Sequence, residues 1–425
     1  MQTQPHPEPA PPTRTLPHPG LGNALIGKEE EALVLEVLRS GKLFRFDYQS
    51  PLSGQSVMAT RLENGFREKL GLPYALAVTS GTAALETALG ALGIGPGDEV
   101  ILPAWSWVSC FTSVVRLGAL PVLAEVDDTF CLKPGEIPRL ATPRTKAVIV
   151  VHYQGVAAEM EPILTEARAA GIRVLEDCAE SAGVLYRGQP VGSLGDIAIF
   201  SFQFQKMITS GEGGLVATRD PLLYERAIRM HDLGQVRGYF TQWITPEQTN
   251  FCGSQFRMSE LTAAVALAQF GKLDFIRSHC RALSRRILGK ISDLPRLGFR
   301  RIPDPQGDTG FEIYLLLETV ELAQAFTEQI KQLGVFANKM TGTYCHYRQP
   351  YCIHRAAHAE SASPFTQFPT WPARGYRPED FPITEGLVTR FVALPIGVRH
   401  TEADADFIAE CIHAVYKDLF GTDPA

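Results

Sequence analysis

Short apolar runs that alternate with stretches of helical period limit what this chain can fold into. Residues 74–78, 99–102, 122–125, 146–152, 172–175 and 196–199 are rich in Val, Ile, Leu and Ala and bounded by Gly, Pro, Asp or Asn. They read as buried strands. Between them, 83–92 and 163–170 carry apolar residues at helical spacing, as do 27–38 and 58–70 before the first strand and 222–230 after the last. Strand and helix in alternation predict an α/β fold, a mostly parallel sheet with helices on both faces. From about residue 277 the pattern changes. Helices are expected at 277–291, 322–333 and 402–419, with strands at 299–302, 311–317 and 391–394. At 425 residues the chain holds two cores. The expected division is a large domain over 21–276 and a smaller C-terminal α+β domain over 277–425.

Ligand sites of open α/β sheets lie at the carboxyl ends of the strands. Two such ends carry chemistry. Lys206 follows the strand at 196–199, between Phe202 and Phe204 upstream and a glycine cluster, Gly211, Gly213 and Gly214, downstream. A lysine there either snorkels into solvent or, held against an apolar wall, acts as a nucleophile toward carbonyls. Asp177 stands where the strand at 172–175 runs out, so the two side chains can face one crevice. A lysine that captures an aldehyde, paired with a carboxylate that keeps a pyridine nitrogen protonated, is what pyridoxal 5'-phosphate (PLP) requires.

Upstream, Thr79-Ser80-Gly81-Thr82 joins the strand at 74–78 to an Ala/Leu-rich helix. Strand, small hydroxyl-bearing turn and helix form either a phosphate cradle at a helix N-terminus or an ordinary capped helix. Gly93, Gly95 and Gly97 do not make a dinucleotide turn, because they end a helix and lead into a strand. Trp105 and Trp107 follow the strand at 99–102 and suit a core or a flat ligand ring. Glu180 lies three residues past Asp177, either near the same ligand or on a solvated helix face.

The blocks "EDCAESAG" (176–183) and "FSFQFQKMITSGEGG" (200–214) resemble the PLP-dependent sugar aminotransferases of the DegT/DnrJ/EryC1/StrS family, and the likeness runs from about Leu21 to near the C-terminus. The resemblance implies the aspartate aminotransferase fold (fold type I) and the cofactor pyridoxal 5'-phosphate. It implies Lys206 as the internal-aldimine lysine and Asp177 as the partner of the ring nitrogen. Trp107 stacks on the ring where relatives more often carry a phenyl group. Gly81, Thr82, Ser201 and Gln203 hold the phosphate, and Glu180 stands near the phenolic oxygen, where many members carry glutamine. The segment "FCGSQFRMSE" (251–260) is similar to a family block whose asparagine reaches the neighbouring subunit's phosphate; here Gln255 replaces it. A homodimer with shared active sites follows from that likeness. The implied reaction moves an amino group from glutamine or glutamate to a small keto acceptor, a keto-cyclitol or keto-sugar, as in secondary metabolism. Gln203 stands where many nucleotide-sugar enzymes carry histidine, which favours the cyclitol branch. Two other readings stay open: a dehydratase or aromatising synthase similar to aminohydroxybenzoate synthase, and a non-enzymatic regulator on the same fold.

Composition excludes several other classes. A formal charge of −6 and the absence of a dense Lys/Arg run argue against nucleic-acid binding. No apolar stretch reaches the length of a membrane span. Eight cysteines without a CxxC pair fit a reducing cytoplasm. Cys345, His346, Cys352 and His354 cluster in sequence, but their spacing fits no common zinc pattern, and no metal is expected. Residues 1–20, with seven prolines and few large apolar groups, read as a disordered or extended arm rather than a secretory signal. Surface loops are expected over 43–57, 234–250 and 364–382.

Overall fold

The computed structural model of the protein describes residues 14–46, 58–237, 240, 251–338, 344–359, 363–367 and 375–421. Seven strands form the main sheet: β1 (Tyr74–Val78), β2 (Glu99–Pro103), β3 (Leu120–Ala124), β4 (Thr145–Val151), β5 (Arg173–Asp177), β8 (Ile197–Ser201) and β9 (Gly214–Thr218). A two-stranded hairpin, β6 (Leu185–Tyr186) with β7 (Gln189–Pro190), lies between β5 and β8 in the chain. The spatial order is β1-β9-β8-β5-β4-β2-β3. Strand β9 runs antiparallel to both its neighbours, and every other adjacent pair is parallel. Every residue of β2, β8 and β9 is buried or nearly so, as expected for strands covered on both faces.

The helices that accompany the strands include α1 (Lys28–Ser40), α2 (Met58–Leu70), α3 (Gly81–Ala91), α4 (Val108–Arg116), α5 (Glu136–Leu140), α6 (Met160–Ala170), α7 (Pro221–His231), α8 (Glu260–Phe270), α9 (Leu273–Ile291) and α10 (Val320–Gln332). Their starts are written locally. Ser80 Oγ accepts from Ala83 N–H at the head of α3. At α7, Asp220 accepts from Leu222 N–H, and Pro221 occupies the first turn, where its missing N–H is harmless. Helix α3 is buried on nearly all sides, which its small Ala and Thr side chains permit.

A buried carboxylate fixes the turn that feeds β8. Glu176 accepts from the N–H groups of Gly192, Leu194 and Gly195 at 2.8, 2.7 and 2.6 Å, and from His152 Nε2 at 2.9 Å. Burial opposes its ionisation. The His152 hydrogen bond and the backbone N–H groups outweigh that and hold the carboxyl below its ordinary value. The Asp177 and Lys206 strands are thereby locked side by side.

The second sheet is antiparallel, β10 (Gly298–Phe299), β11 (Glu312–Leu316) and β12 (Phe391–Pro395). It packs on a smaller apolar core with α10 and the C-terminal helix Glu402–Phe420. Helix α9 serves both cores: Ile276 and Cys280 belong to the larger, Leu283, Ile287 and Ile291 to the smaller. Along β11 the side chains alternate. Ile313 and Leu315 enter the smaller core, whereas Tyr314 joins the larger one across the sheet. Residues 277–425 do not all serve the smaller core, since Cys345, Tyr347, Cys352, Phe365 and Phe381 pack on the larger.

Of the arm expected to be disordered or extended, residues 1–13 lie outside the described residues, and 14–20 form an extended segment held against the body of the protein. Leu16 is buried in the smaller core, Val398 N–H donates to Gly20 O at 3.0 Å, and Arg399 N–H donates to Pro19 O at 3.1 Å. A run of prolines has few N–H donors, but its carbonyls are free to accept, and the chain after β12 supplies the donors. Strand β9 and helix α4 were not expected. Of the expected loops, 47–57, 241–250 and 368–374 lie outside the described residues, while 364–382 also contains a short helix, Pro364–Gln367.

Candidate active site

Lys206 sits in the excursion between β8 and β9. Antiparallel pairing closes that excursion: Phe202 N–H donates to Gly213 O at 2.8 Å, and Ser210 N–H donates to Phe202 O at 2.9 Å. Met207 and Ile208 are buried beneath it, and Lys206 N–H donates to Gln203 O at 2.9 Å, closing a tight turn. The lysine points back over the strand ends, where its Nζ donates to Glu180 Oε1 at 2.7 Å. The other Glu180 oxygen is buried and has no hydrogen-bond partner among the described residues.

Asp177 closes β5 and is 4% exposed. Its Oδ1 accepts from Ala179 N–H at 2.9 Å, and its Oδ2 accepts from the Cys110 thiol at 3.2 Å. Burial raises its carboxyl above the usual aspartate range, against the Ala179 and Cys110 hydrogen bonds and the positive charge of Lys206. Burial and the Asp177 charge push the Cys110 thiol well up, so it stays protonated and donates. A buried carboxylate held this way gains most from a cation placed against it.

The strand ends also supply an anion cradle. The N–H groups of Gly81 and Thr82, in the first turn of α3, have no carbonyl four residues back to bond, and the helix dipole points its positive end the same way. Gly81 lies against Ser201: a Cβ added to it would fall 2.7 Å from Ser201 Cβ and 2.8 Å from its Oγ. The backbone therefore approaches the Ser201 hydroxyl as only glycine allows. Thr82 Oγ1 lies 2.9 Å from Ser109 Oγ. The two tryptophans separate clearly. Trp105 is fully buried, whereas Trp107 is 47% exposed and caps α4 at the rim of the site.

Gly81, Thr82, Trp107, Asp177, Glu180, Ser201, Gln203 and Lys206 all line one cavity of about 300 Å³. Gln255 does not line it; it is exposed and bridges Asp232. A second cavity of about 510 Å³ shares Glu180, Gln205, Lys206 and Tyr344 with the first and opens toward the small sheet. Its wall includes Gln154, Glu312 and Asn338, none of which was read from the sequence. The signal for Glu312 is a single carboxylate in the otherwise apolar run Phe311-Glu312-Ile313-Tyr314-Leu315. Cys110 carried no such signal.

Two clusters of metal-ligand type have other work. His152, Glu176 and Cys178 lie close together, but His152 Nδ1 accepts from Ala158 N–H and Glu176 is taken by four donors. The buried His346 ring bridges Ser106 Oγ and the Tyr351 hydroxyl, both at 2.9 Å.

The model of the DegT/DnrJ/EryC1/StrS aminotransferase family matches residues 25–413. The chain belongs to this family. Solved structures agree. A 3-amino-5-hydroxybenzoic acid synthase is 27% identical and superposes with a TM-score of 0.74 over 96% of this chain and 100% of its own. The aminotransferase TlmJ from Streptoalloteichus hindustanus is 25% identical, with a TM-score of 0.73 over 93% of this chain and 97% of its own. An aminotransferase from Psychrobacter cryohalolentis, 24% identical, shares the fold at a TM-score of 0.76 over 96% of this chain and 99% of its own. The protein is thus a PLP-dependent aminotransferase of the α/β fold type I class. The site fits that cofactor: the glycine-lined cradle suits a phosphate, and the buried Asp177 carboxylate suits a protonated ring nitrogen. No described helix is long and apolar enough to cross a membrane.

Proposed function

We propose that the protein transfers an amino group from glutamine or glutamate to a keto-cyclitol or keto-sugar, with Lys206 as the residue that holds the cofactor's aldehyde. The observation that carries this reading is the convergence of Lys206, Asp177 and the Gly81–Ser201 cradle on one cavity that continues into a larger one. Bound there, pyridoxal 5'-phosphate supplies an electron-accepting ring and a carbon that carries the amino group between the two half-reactions. Gly81, Thr82, Ser201 and Gln203 hold its phosphate, and Trp107 covers a ring face. Asp177 keeps the proton on the ring nitrogen. Lys206, freed by the donor amine, would carry the proton from the donor's α-carbon to the cofactor carbon that receives the amino group; in the chain as it stands its Nζ donates to Glu180.

Gln255 lines neither cavity of its own chain, which supports assigning it to the partner's phosphate in a homodimer with shared sites. Gln203 in place of a histidine favours a cyclitol or free sugar over a nucleotide-linked one. Likeness to an aminohydroxybenzoate-type synthase favours a second reading, an aromatising dehydratase. One assay separates them: keto-cyclitols and nucleotide keto-sugars incubated with glutamine or glutamate, followed by amine formation and cofactor absorbance. Amine product with a shift toward pyridoxamine phosphate supports amino transfer. Loss of water from a ring substrate, with no such shift on glutamine, overturns it in favour of the dehydratase.

A further inference from the structure

Behind Asp177, on the side away from the cavity, lie buried polar side chains that the site described above does not use. Residues 344–346 pair with 104–106 just past the end of β2: Ser106 N–H donates to Tyr344 O at 2.9 Å, and His346 N–H donates to Ala104 O at 3.0 Å. That pairing sets the His346 ring against α4, stacked on Phe111 with ring centroids 5.6 Å apart. Cys110 is 1% exposed, and Ser106 and His346 are fully buried. With Tyr351 they reach from Asp177 outward, and none of the four lines either cavity.

Hydrogen-bond chemistry sets the direction of each link. An ionised carboxylate only accepts, so the Cys110 thiol donates its one proton to Asp177 Oδ2 at 3.2 Å. The sulfur is left with acceptor capacity alone. The Ser106 hydroxyl interacts with it as a donor, in the direction that opposes the effect of burial on the thiol. With its proton so placed, Ser106 Oγ accepts from His346 Nε2 at 2.9 Å. Burial lowers the His346 imidazole to about 3, so the ring is neutral and carries a single N–H. Nδ1 therefore accepts from the Tyr351 hydroxyl at 2.9 Å, and burial keeps the proton on that hydroxyl.

Every donor in this series points toward Asp177, and hydrogen bonds in series polarise one another. The chain opposes what burial does to Asp177, which is to favour the protonated acid. An Asp177 that holds its own proton cannot keep one on a ring nitrogen. The charged groups facing Asp177 are Lys206 and Glu180, of opposite sign and bonded to each other at 2.7 Å, so together they add little net charge.

We propose that Cys110, Ser106, His346 and Tyr351 are positioning residues, a one-way chain of hydrogen bonds that holds Asp177 ionised and aimed at the ring nitrogen. This rests on Asp177 as the ring-nitrogen partner and extends that role to side chains that never touch the cofactor.

The test compares two ligands of the full-length protein resolved of cofactor: pyridoxal 5'-phosphate and its 1-deaza analogue, which has carbon in place of the ring nitrogen. Equilibrium dialysis gives both dissociation constants, and their ratio reads the ring-nitrogen contact alone. Wild type should prefer pyridoxal 5'-phosphate at least a hundredfold. Cys110→Ala should cut that preference about tenfold, the scale of one hydrogen bond to a charged group. His346→Phe should cut it at least threefold, and Tyr351→Phe about twofold. Cys110→Ser and His346→Gln, which keep a donor at each link, should stay within twofold of wild type. A purely structural role would weaken both ligands together and leave the ratio alone. An unchanged ratio in Cys110→Ala or in His346→Phe, or the same loss in His346→Gln as in His346→Phe, would overturn the chain. Melting temperatures check folding, and if His346→Phe misfolds, Tyr351→Phe, which removes one hydroxyl, decides in its place. Asp177→Asn separates the two failures. A preference that survives in that variant would sink Asp177 as the ring-nitrogen partner, whereas a preference lost there but kept in Cys110→Ala and His346→Phe would sink the chain alone.

Discussion

Replacing Asp177 by asparagine separates the electrostatic role of this residue from its structural one. In the folded chain Asp177 makes two hydrogen bonds, from Ala179 N–H at 2.9 Å and from the Cys110 thiol at 3.2 Å. Asparagine keeps the oxygen that accepts from Ala179. It loses only the anionic acceptor for a thiol, a weak donor, so stability should change by about 1 kcal/mol or less. In a chain this size that moves the melting temperature by less than about 4 °C. The ring nitrogen is a different matter. A carboxylate in contact with a protonated pyridine at about 3 Å contributes about 5 kcal/mol at an effective dielectric constant near 20. Removing it should lower the half-reaction with glutamine by about 10³- to 10⁴-fold. The assay is cofactor absorbance in single turnover at saturating pyridoxal 5'-phosphate, with cofactor content measured separately. A variant within tenfold of wild type, cofactor fully bound, would refute the ring-nitrogen role.

Other residues give independent checks. The Glu176 carboxyl is held below its ordinary value, so its contribution is present above about pH 4.5, the unfolded value, and is lost as pH falls through the folded one. Glu176→Gln should therefore cost about 3 kcal/mol in denaturant unfolding at pH 7, and the gap to wild type should narrow near pH 4; a gap independent of pH would contradict the clamp. Gly81→Ala places a methyl 2.7 Å from Ser201 Cβ and should weaken cofactor binding at least tenfold by equilibrium dialysis with the fold intact; unchanged affinity would remove Gly81 from the cradle. Mixed dimers of Lys206→Ala and Gln255→Ala chains should show more activity than the mean of the two parents, approaching half of wild type. No gain, with mixed dimers verified by mass, would place Gln255 in its own chain's chemistry or in none.

The sheet was readable in the sequence because its strands are short, apolar and buried on both faces. Strand β9 was not. Gly213 and Gly214 read as a loop, and the five residues Gly214–Thr218 return antiparallel, a pairing that alternation does not announce. Helix α4 hid behind its β-branched Val108, Thr112, Val114 and Val115, whose local preference tertiary packing overrides. Within the site, Lys206, Asp177, Gly81 and Trp107 stand at strand ends next to recognisable turns, so position and chemistry pointed the same way. Glu312 comes from another sheet, more than a hundred residues later in the chain. Only the packing of β11 against the large domain brings it to the cavity. Cys110 reaches Asp177 through the placement of α4, which periodicity could not give.

Reduction of the holoenzyme with borohydride, followed by peptide mass mapping, tests the central assignment most directly, because it reads which lysine carries the cofactor. The phosphopyridoxyl group should appear on the peptide containing Lys206, and Lys206→Ala protein treated alike should carry none. A label on any other lysine, or a label that persists in Lys206→Ala, would contradict the assignment of Lys206.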